Sequence, residues 1–347
     1  MEQCSSKPTA RYKQEVALRW LNKLGIGQGG ATTSMADLTG GFGVDFSFTS
    51  RCFASATYVE RNSSLCDVVS GNLPRLGISN ANVVCAEAED YLATMPQQTM
   101  LFLDPARRDE HGAKTVLIAD CTPDVCRLLP QLMSKARFVM LKLSPMLDWH
   151  KAIADLKGTV DEVHIVSVGG ECKELLLVLA GKVSVSSVDS GSLENGVRVY
   201  CVDIMPKAEA DGEYKRSEFC YTIGGAADNI PTPNPQPSTL NSQLSTLNFQ
   251  FLFEPNASIM KAGCFAELSQ AYGVEAIGPN SHLFVSSGRI EQFPGRKFAI
   301  EAVCTLNKRQ LKQTLGTLKQ ANIAVRNFPM SVAELRKRLK LRDGGDT

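Results

Sequence analysis

The sequence predicts an α/β protein built on a largely parallel sheet with crossover helices, followed by smaller α+β units. Three observations carry that expectation. Between Ser34 and Ala180, short apolar runs alternate with longer amphipathic stretches, the pattern of strands joined by helices. The last two runs are separated only by Gly169, Gly170, Glu171, Cys172 and Lys173, too short for a crossover, so they must pair antiparallel. The 347 residues, 44% hydrophobic and 21% charged, exceed one ordinary domain and can fill a sizeable core, which excludes a disordered or collagen-like chain.

Seven strands are expected in a first domain over 1–182: 34–38, 56–60, 81–86, 100–103, 138–143, 160–168 and 174–180, with helices after the first five. Residues 183–227 read as a β-rich connecting segment with short strands such as 197–202 and 219–223. Residues 228–248 carry four prolines and a duplicated Ser-Thr-Leu-Asn, the composition of a flexible insertion. A small domain over 249–288 follows, with a strand at 249–253, a helix from about Asn256 to Tyr272 and a strand near His282 to Val285. The last unit, 289–347, reads as βαβα: a strand over 298–303, a helix over 308–321, a strand over 323–328 and a basic helix over 331–341.

The net charge of +1 conceals an asymmetry. Residues 289–347 hold 13 Lys and Arg against 5 Asp and Glu, whereas the first 288 residues hold 24 against 31. A basic terminal unit favours a polyanionic partner. Arg296, Arg336, Lys337, Arg338 and Lys340 are its candidate phosphate contacts. Eleven cysteines occur without one CxxC pair, which suits reduced thiols and disfavours zinc. His111, His150, His164 and His282 stand apart from carboxylates at ligand spacing, so no metal site is expected. With no run of 18 apolar residues and no apolar leader stretch, a cytoplasmic protein is expected.

The candidate site gathers at the strand ends. The first strand runs into Asp37-Leu38-Thr39-Gly40-Gly41-Phe42-Gly43-Val44-Asp45, where glycines let backbone approach a ligand and amides can face an anion. This is neither GxxxxGK[ST] nor GxGxxG, so triphosphate and dinucleotide loops are disfavoured. The second strand ends in Glu60-Arg61, a carboxylate placed to accept from both hydroxyls of an adenosine ribose. The third runs into Glu87-Ala88, and the fourth ends in Asp104-Pro105-Ala106-Arg107-Arg108-Asp109. In open α/β sheets ligands sit outside the carboxyl ends of strands, so Asp37, Gly41, Glu60, Glu87 and Asp104 should converge. Arg107 and Arg108 suit either a phosphate contact or an ion pair with Asp109. Cys4, Cys121 and Cys126 have no context diagnostic of a nucleophile, and Glu171 with Lys173 reads as a surface ion pair.

In that order, DLTGGFGVD, YVER, CAEAED, LFLDPARRD and a closing hairpin resemble a class I S-adenosylmethionine-dependent methyltransferase, with a Rossmann-like seven-stranded sheet, over roughly the first 180 residues. The resemblance implies that Asp37, Thr39, Gly40 to Gly43 and Asp45 hold the methionine part, Glu60 and Arg61 the ribose, and Glu87 with Ala88 the adenine edge. Asp104, Pro105 and Arg107 would line the methyl-transfer site. The opening EQCSSKPTA, with Gln3, Ser5 and Ser6, is similar to the segment that closes over the methionine end in related enzymes. Downstream, FEPNASIMKAG, NSHL and FPGR resemble a bacterial methyltransferase family that appends a ferredoxin-like and a THUMP-like domain. THUMP-like modules imply RNA, tRNA or rRNA, as partner. Members commonly carry a helical region ahead of the EQCSS segment, so the chain is expected to be a shortened form. Ala106-Arg107 stands where enzymes that methylate exocyclic amines carry proline and a stacking aromatic, so that chemistry is not supported.

The leading expectation is therefore methyl transfer from S-adenosylmethionine to RNA. The alternatives are a small-molecule or protein acceptor, and a non-catalytic RNA-binding protein that retains a cofactor pocket. Intact Asp37, Glu60 and Asp104 argue against the last, and the basic tail against the first.

Overall fold

The computed structural model describes residues 4–26, 32–107, 117–180, 196–206, 214–224, 249–278 and 280–345. The proline-rich stretch 228–248 lies outside them. The chain divides into two units, Met1–Asp228 and Asn229–Thr347.

The first unit contains α1 (Lys7–Lys23), β1 (Ser34–Asp37), α2 (Val44–Thr49), β2 (Ser55–Glu60), α3 (Ser63–Arg75), β3 (Ala81–Cys85), α4 (Ala88–Thr94) and β4 (Gln98–Leu103). A short ladder of β5 (Ala106–Arg107) with β6 (Cys121–Thr122) precedes α5 (Val125–Lys135), β7 (Ala136–Leu143) and α6 (Trp149–Asp155). Then come β8 (Val160–Val168), β9 (Glu171–Leu179), β10 (Val197–Pro206) and β11 (Tyr214–Ile223). The sheet order is β11-β10-β8-β9-β7-β4-β1-β2-β3. From β3 to β7 the strands are parallel, and β9 lies antiparallel between β7 and β8. All seven expected strands form close to their expected bounds. β4 and β7 are covered on both faces, which is why Met100 to Leu103 and Phe138 to Leu141 read as continuous apolar runs.

Two features depart from the sequence expectation. Residues 197–223 are not a connecting segment: β10 pairs parallel with β8 and β11 antiparallel with β10, extending the sheet. Val199, Cys201 and Val202 are fully buried there, and the nine-residue edge of β8 gains a partner for its backbone. The second is α1, which was not expected ahead of the first strand. Pro8 in its first turn and buried Tyr12, Val16, Ala17, Trp20 and Leu21 make one apolar face, and Trp20 stacks on Phe138 at 5.6 Å between ring centroids. Its polar contacts are equally specific. Tyr12 Oη lies 2.8 Å from His164 Nδ1, and Trp20 Nε1 donates to Glu162 at 2.8 Å. His164 is thus a satisfied core histidine, its pKa lowered by burial.

The second unit pairs β12 (Phe251–Pro255), β13 (Glu275–Ala276), β14 (Phe284–Ser286) and β15 (Gly295–Ala299) in the order β13-β14-β12-β15, all antiparallel. The expected single helix over 256–272 is two, α7 (Ala257–Ala262) and α8 (Phe265–Tyr272), broken at Gly263 with φ +72°. The expected βαβα unit does not form either. β15 belongs to the preceding sheet, α9 (Lys308–Leu315) stops at Gly316, and residues 323–328 are not a strand. The chain after α9 instead meets the C-terminal segment, with Ala321 N donating to Arg342 O at 3.0 Å and Arg342 N to Lys319 O at 2.9 Å. α10 (Val332–Leu339) opens on a Ser331–Glu334 capping box.

Candidate active site

The carboxyl ends of β1, β2 and β4 open into a cavity of about 650 Å³ lined by Ser5, Asp37, the 39–45 turn, Glu60, Arg61, Glu87, Ala88, Asp104 and Lys142. The convergence expected from sequence is present. Asp37 is buried at the end of β1, with Thr39 N donating to its Oδ1 at 3.0 Å. Burial, reinforced by Asp45, Asp104 and Glu60, pushes its carboxyl up to about 8. Glu60 is tied into both neighbouring loops: Gly41 N donates to Oε2 and Asn62 N to Oε1, each at 2.9 Å. Each oxygen keeps acceptor capacity for a ligand hydroxyl.

One expectation about the glycine turn needs correction. Its amides are largely committed within the protein: Thr39 N to Asp37, Gly40 N to Val59 O at 2.9 Å, Gly41 N to Glu60, and Gly43 N to Gly40 O at 2.9 Å. The turn therefore serves by shape, with Gly41 at φ +52° and Gly43 at φ +75° holding a path that side chains disfavour. Phe42 stands 57% exposed at its tip. Glu87 precedes α4 as an exposed residue, and Ala88 is buried beside it. Pro105 is buried and Arg61 exposed, while Ser6 leads into α1. Gln3, Arg108, Asp109 and the Arg107 side chain lie outside the described residues.

The structure adds a charged cluster that sequence reasoning missed. Asp104 N donates to Thr39 Oγ1 at 2.6 Å, and Asp104 Oδ2 accepts from Lys142 Nζ at 2.5 Å. Behind them Lys13 Nζ, fully buried, donates to Glu174 Oε1 and Oε2 at 2.5 and 2.7 Å and lies 3.3 Å from Asp45 Oδ1. Lys142 lies 3.9 Å from Asp45 Oδ2, which also accepts from Ser5 Oγ at 2.7 Å. Burial works against the Lys142 ammonium, but the Asp104 and Asp45 carboxylates outweigh it and hold its pKa above the ordinary lysine value. Burial raises the Asp104 carboxyl, and the ammonium opposes that rise. Two signals were available in sequence: the helical spacing of Tyr12, Val16 and Trp20 around Lys13, and the charged Lys142 and Glu174 set in apolar strands. Among the described residues no His, Cys, Asp and Glu cluster is placed to hold a metal. Lys173 pairs with Glu171 at 2.5 Å on the surface.

In the second unit the basic candidates separate. Arg296 and Arg326 both bind Glu254, Arg336 donates to Asp343 at 2.6 Å, and Arg338 reaches Leu306 O at 3.2 Å. Lys337 and Lys340 are exposed.

A sheet in the order β3-β2-β1-β4-β7, closed by β9 antiparallel between β7 and β8, with an acid-lined cavity at the strand ends, defines the class I methyltransferase fold. Residues 251–294 match a ferredoxin-like domain and residues 295–347 a THUMP domain-like family. The crystal structure of a "putative methyltransferase from Porphyromonas gingivalis W83" is 28% identical, covering 99% of this chain and 76% of its own, with a TM-score of 0.73. The first unit thus has the class I methyltransferase fold, and the chain continues into segments similar to a ferredoxin-like and a THUMP-like domain. A T. thermophilus 16S rRNA methyltransferase in complex with AdoMet and guanosine is 14% identical over 51% of this chain and 44% of its own, TM-score 0.38. A precorrin-6y methyltransferase from Geobacter metallireducens is 17% identical over 49% of this chain and 87% of its own, TM-score 0.35. No curated protein matches the sequence. No helix among the described residues is long and apolar enough to cross a membrane.

Proposed function

We propose that the protein transfers the methyl group of S-adenosylmethionine to RNA, working in the cytoplasm. The observation that carries the reading is Glu60, whose two carboxylate oxygens are oriented by backbone donors at the mouth of the acid-lined cavity and retain capacity for ribose hydroxyls. The residues present fit that cofactor. Buried Asp37 lines the cavity together with Asp45, whose Oδ1 makes no hydrogen bond and faces the Lys13 ammonium at 3.3 Å, and these acids would hold the cationic methionine end. Arg61 beside Glu60 would meet the ribose, Glu87 and Ala88 would border the adenine, and the 39–43 turn lets backbone approach closely. Bound S-adenosylmethionine supplies a methyl carbon on a sulfonium, an electrophile. The chain's own residues orient donor and acceptor and keep water out, which is most of what such an in-line displacement needs. Asp104, fixed on the cavity wall by Thr39 and Lys142, would face the acceptor end.

RNA as partner is supported by the THUMP-like match and by the exposed Lys337, Arg338 and Lys340 on the basic terminal unit. Calorimetry tests the cofactor reading: wild type should bind S-adenosylhomocysteine, and Glu60→Ala should lose about 1–3 kcal/mol of affinity as a charge-assisted bidentate contact disappears. Transfer of labelled methyl to total RNA from cells lacking the protein tests the acceptor; label confined to protein or small molecules would overturn it.

A further inference from the structure

Four elements far apart in sequence deliver alternating charges to one point: Lys13 from α1, Asp104 from the end of β4, Lys142 from β7 and Glu174 from β9, with Asp45 of α2 between the two lysines. The Lys13 and Glu174 side chains are 0% and 2% exposed, Lys142 is 10% exposed, and Asp104 at 37% opens on the cavity. Burying ions costs more desolvation than their attraction commonly returns, and apolar residues would fill the same space at least as well. A cluster of this extent, ending at the cavity, is explained by chemistry performed there.

The charges distinguish between acceptors. An amine nitrogen gains positive character as it attacks, which the Lys142 ammonium opposes. A hydroxyl oxygen loses its proton and gains negative character, which an ammonium stabilises and an adjacent carboxylate assists by taking the proton. Asp104 Oδ2 is occupied by Lys142, which leaves Oδ1 to accept a hydroxyl hydrogen. Of the three N–H donors on Lys142, the contact with Asp104 is the one within 3.5 Å of an acceptor among the described residues, and the side chain lines the cavity. In the sequence Asp104-Pro105-Ala106-Arg107, Arg107 stands where a stacking ring for a base would be wanted. Within a polyribonucleotide the internal hydroxyl is the ribose 2′-OH.

We propose that the methyl acceptor is the 2′-hydroxyl oxygen of a ribose in RNA, received between Lys142 and Asp104, with Lys13 and Glu174 as positioning residues behind them. This rests on the methyl-transfer reading and names its acceptor atom. The hydroxyl oxygen forms its bond to the methyl carbon as the carbon–sulfur bond breaks. The electron pair of that bond stays on sulfur, which becomes a neutral thioether, and the hydroxyl proton passes to Asp104 and on to solvent. Lys142 stays protonated throughout, and Lys13 fixes Asp45 and Glu174 so that Lys142 cannot swing away from Asp104.

A 2′-O-methyl group blocks alkaline cleavage of the adjoining phosphodiester, so total RNA from cells lacking the protein is labelled with full-length enzyme and S-adenosylmethionine, then hydrolysed in alkali. Label in alkali-resistant dinucleotides is expected; label in mononucleotides, or none although wild type binds S-adenosylhomocysteine in calorimetry, overturns the proposal. Absence of that binding overturns the cofactor reading instead. Lys142→Met should lower labelling about 100-fold or more while leaving S-adenosylhomocysteine affinity within about twofold, and Lys142→Arg should recover part of it. A readout free of cofactor uses nitrogen NMR of the lysine side chains. The Lys142 ammonium should titrate above the ordinary lysine value in wild type and lower in Asp104→Asn. An ordinary value in both proteins would refute the charged pair.

Discussion

The ring of Tyr58 occupies the space that a side chain on Gly40 would need: an added Cβ would lie 2.1 Å from Tyr58 Cε2. The Tyr58 hydroxyl donates to the carbonyl of Gly41, and Gly40 N donates to Val59 O, so β2 clamps the turn. Gly40→Ala should therefore abolish measurable S-adenosylhomocysteine binding and cost about 1–3 kcal/mol of stability through overpacking. Gly40→Ala combined with Tyr58→Leu should recover part of the binding in calorimetry. Unchanged binding by the single variant would show that the turn is not clamped.

Asp37 sets a pH dependence. Its carboxyl, pushed up to about 8 by burial, holds a proton in the folded state that the unfolded chain releases. The stability from this group is full below the unfolded aspartate value of about 4 and is lost as pH rises through about 8. The melting temperature of wild type should fall between about pH 5 and pH 8 more steeply than that of Asp37→Asn. Equal slopes in scanning calorimetry would contradict the assignment.

Lys13 is fully buried against Glu174 and Asp45. Lys13→Met should destabilise the first unit by about 3–5 kcal/mol in urea denaturation, because it strands two buried carboxylates. Adding Glu174→Leu removes one of them and should restore part of the loss. A single variant as stable as wild type would mean that water reaches the cluster.

The basic tail contains two kinds of cation. Replacing Lys337 and Lys340 with Gln should weaken RNA binding and reduce the slope of log affinity against log salt by about 0.7–0.9 for each phosphate that is no longer neutralised, with no change in melting temperature. Arg296→Gln and Arg336→Gln should instead lower the melting temperature, since those guanidinium groups bind Glu254 and Asp343. Equal loss of RNA affinity in both sets, without a thermal effect, would argue that the ion pairs open to admit RNA.

Much of the site was legible in the sequence because its parts are local. Asp37 with its glycines, Glu60, Glu87 and Asp104 each sit within a few residues of a strand end, and a parallel sheet brings successive strand ends to one edge. The antiparallel closure followed from five residues, Gly169 to Lys173, that could not span a crossover. Where local signals are ambiguous the fold departs from them: Gly263 splits a helix that the apolar spacing runs through, and residues 197–223 join the main sheet because β10 pairs with β8, a long-range contact that short strands do not announce.

The amino-acid order by itself determined the alternation of strands and helices, the antiparallel closure and the acids at the strand ends, since periodicity, turn length and glycine content act over a few residues. Tertiary structure alone decided that Lys13 meets Glu174 across 161 positions, that Lys142 meets Asp104 across 38, and that β10 and β11 complete the sheet. Lys142 and Glu174 stand out in sequence as charges within apolar strands, but which partner each one meets leaves no local trace, because ion pairing at that separation exists only once the fold has removed the water around both charges.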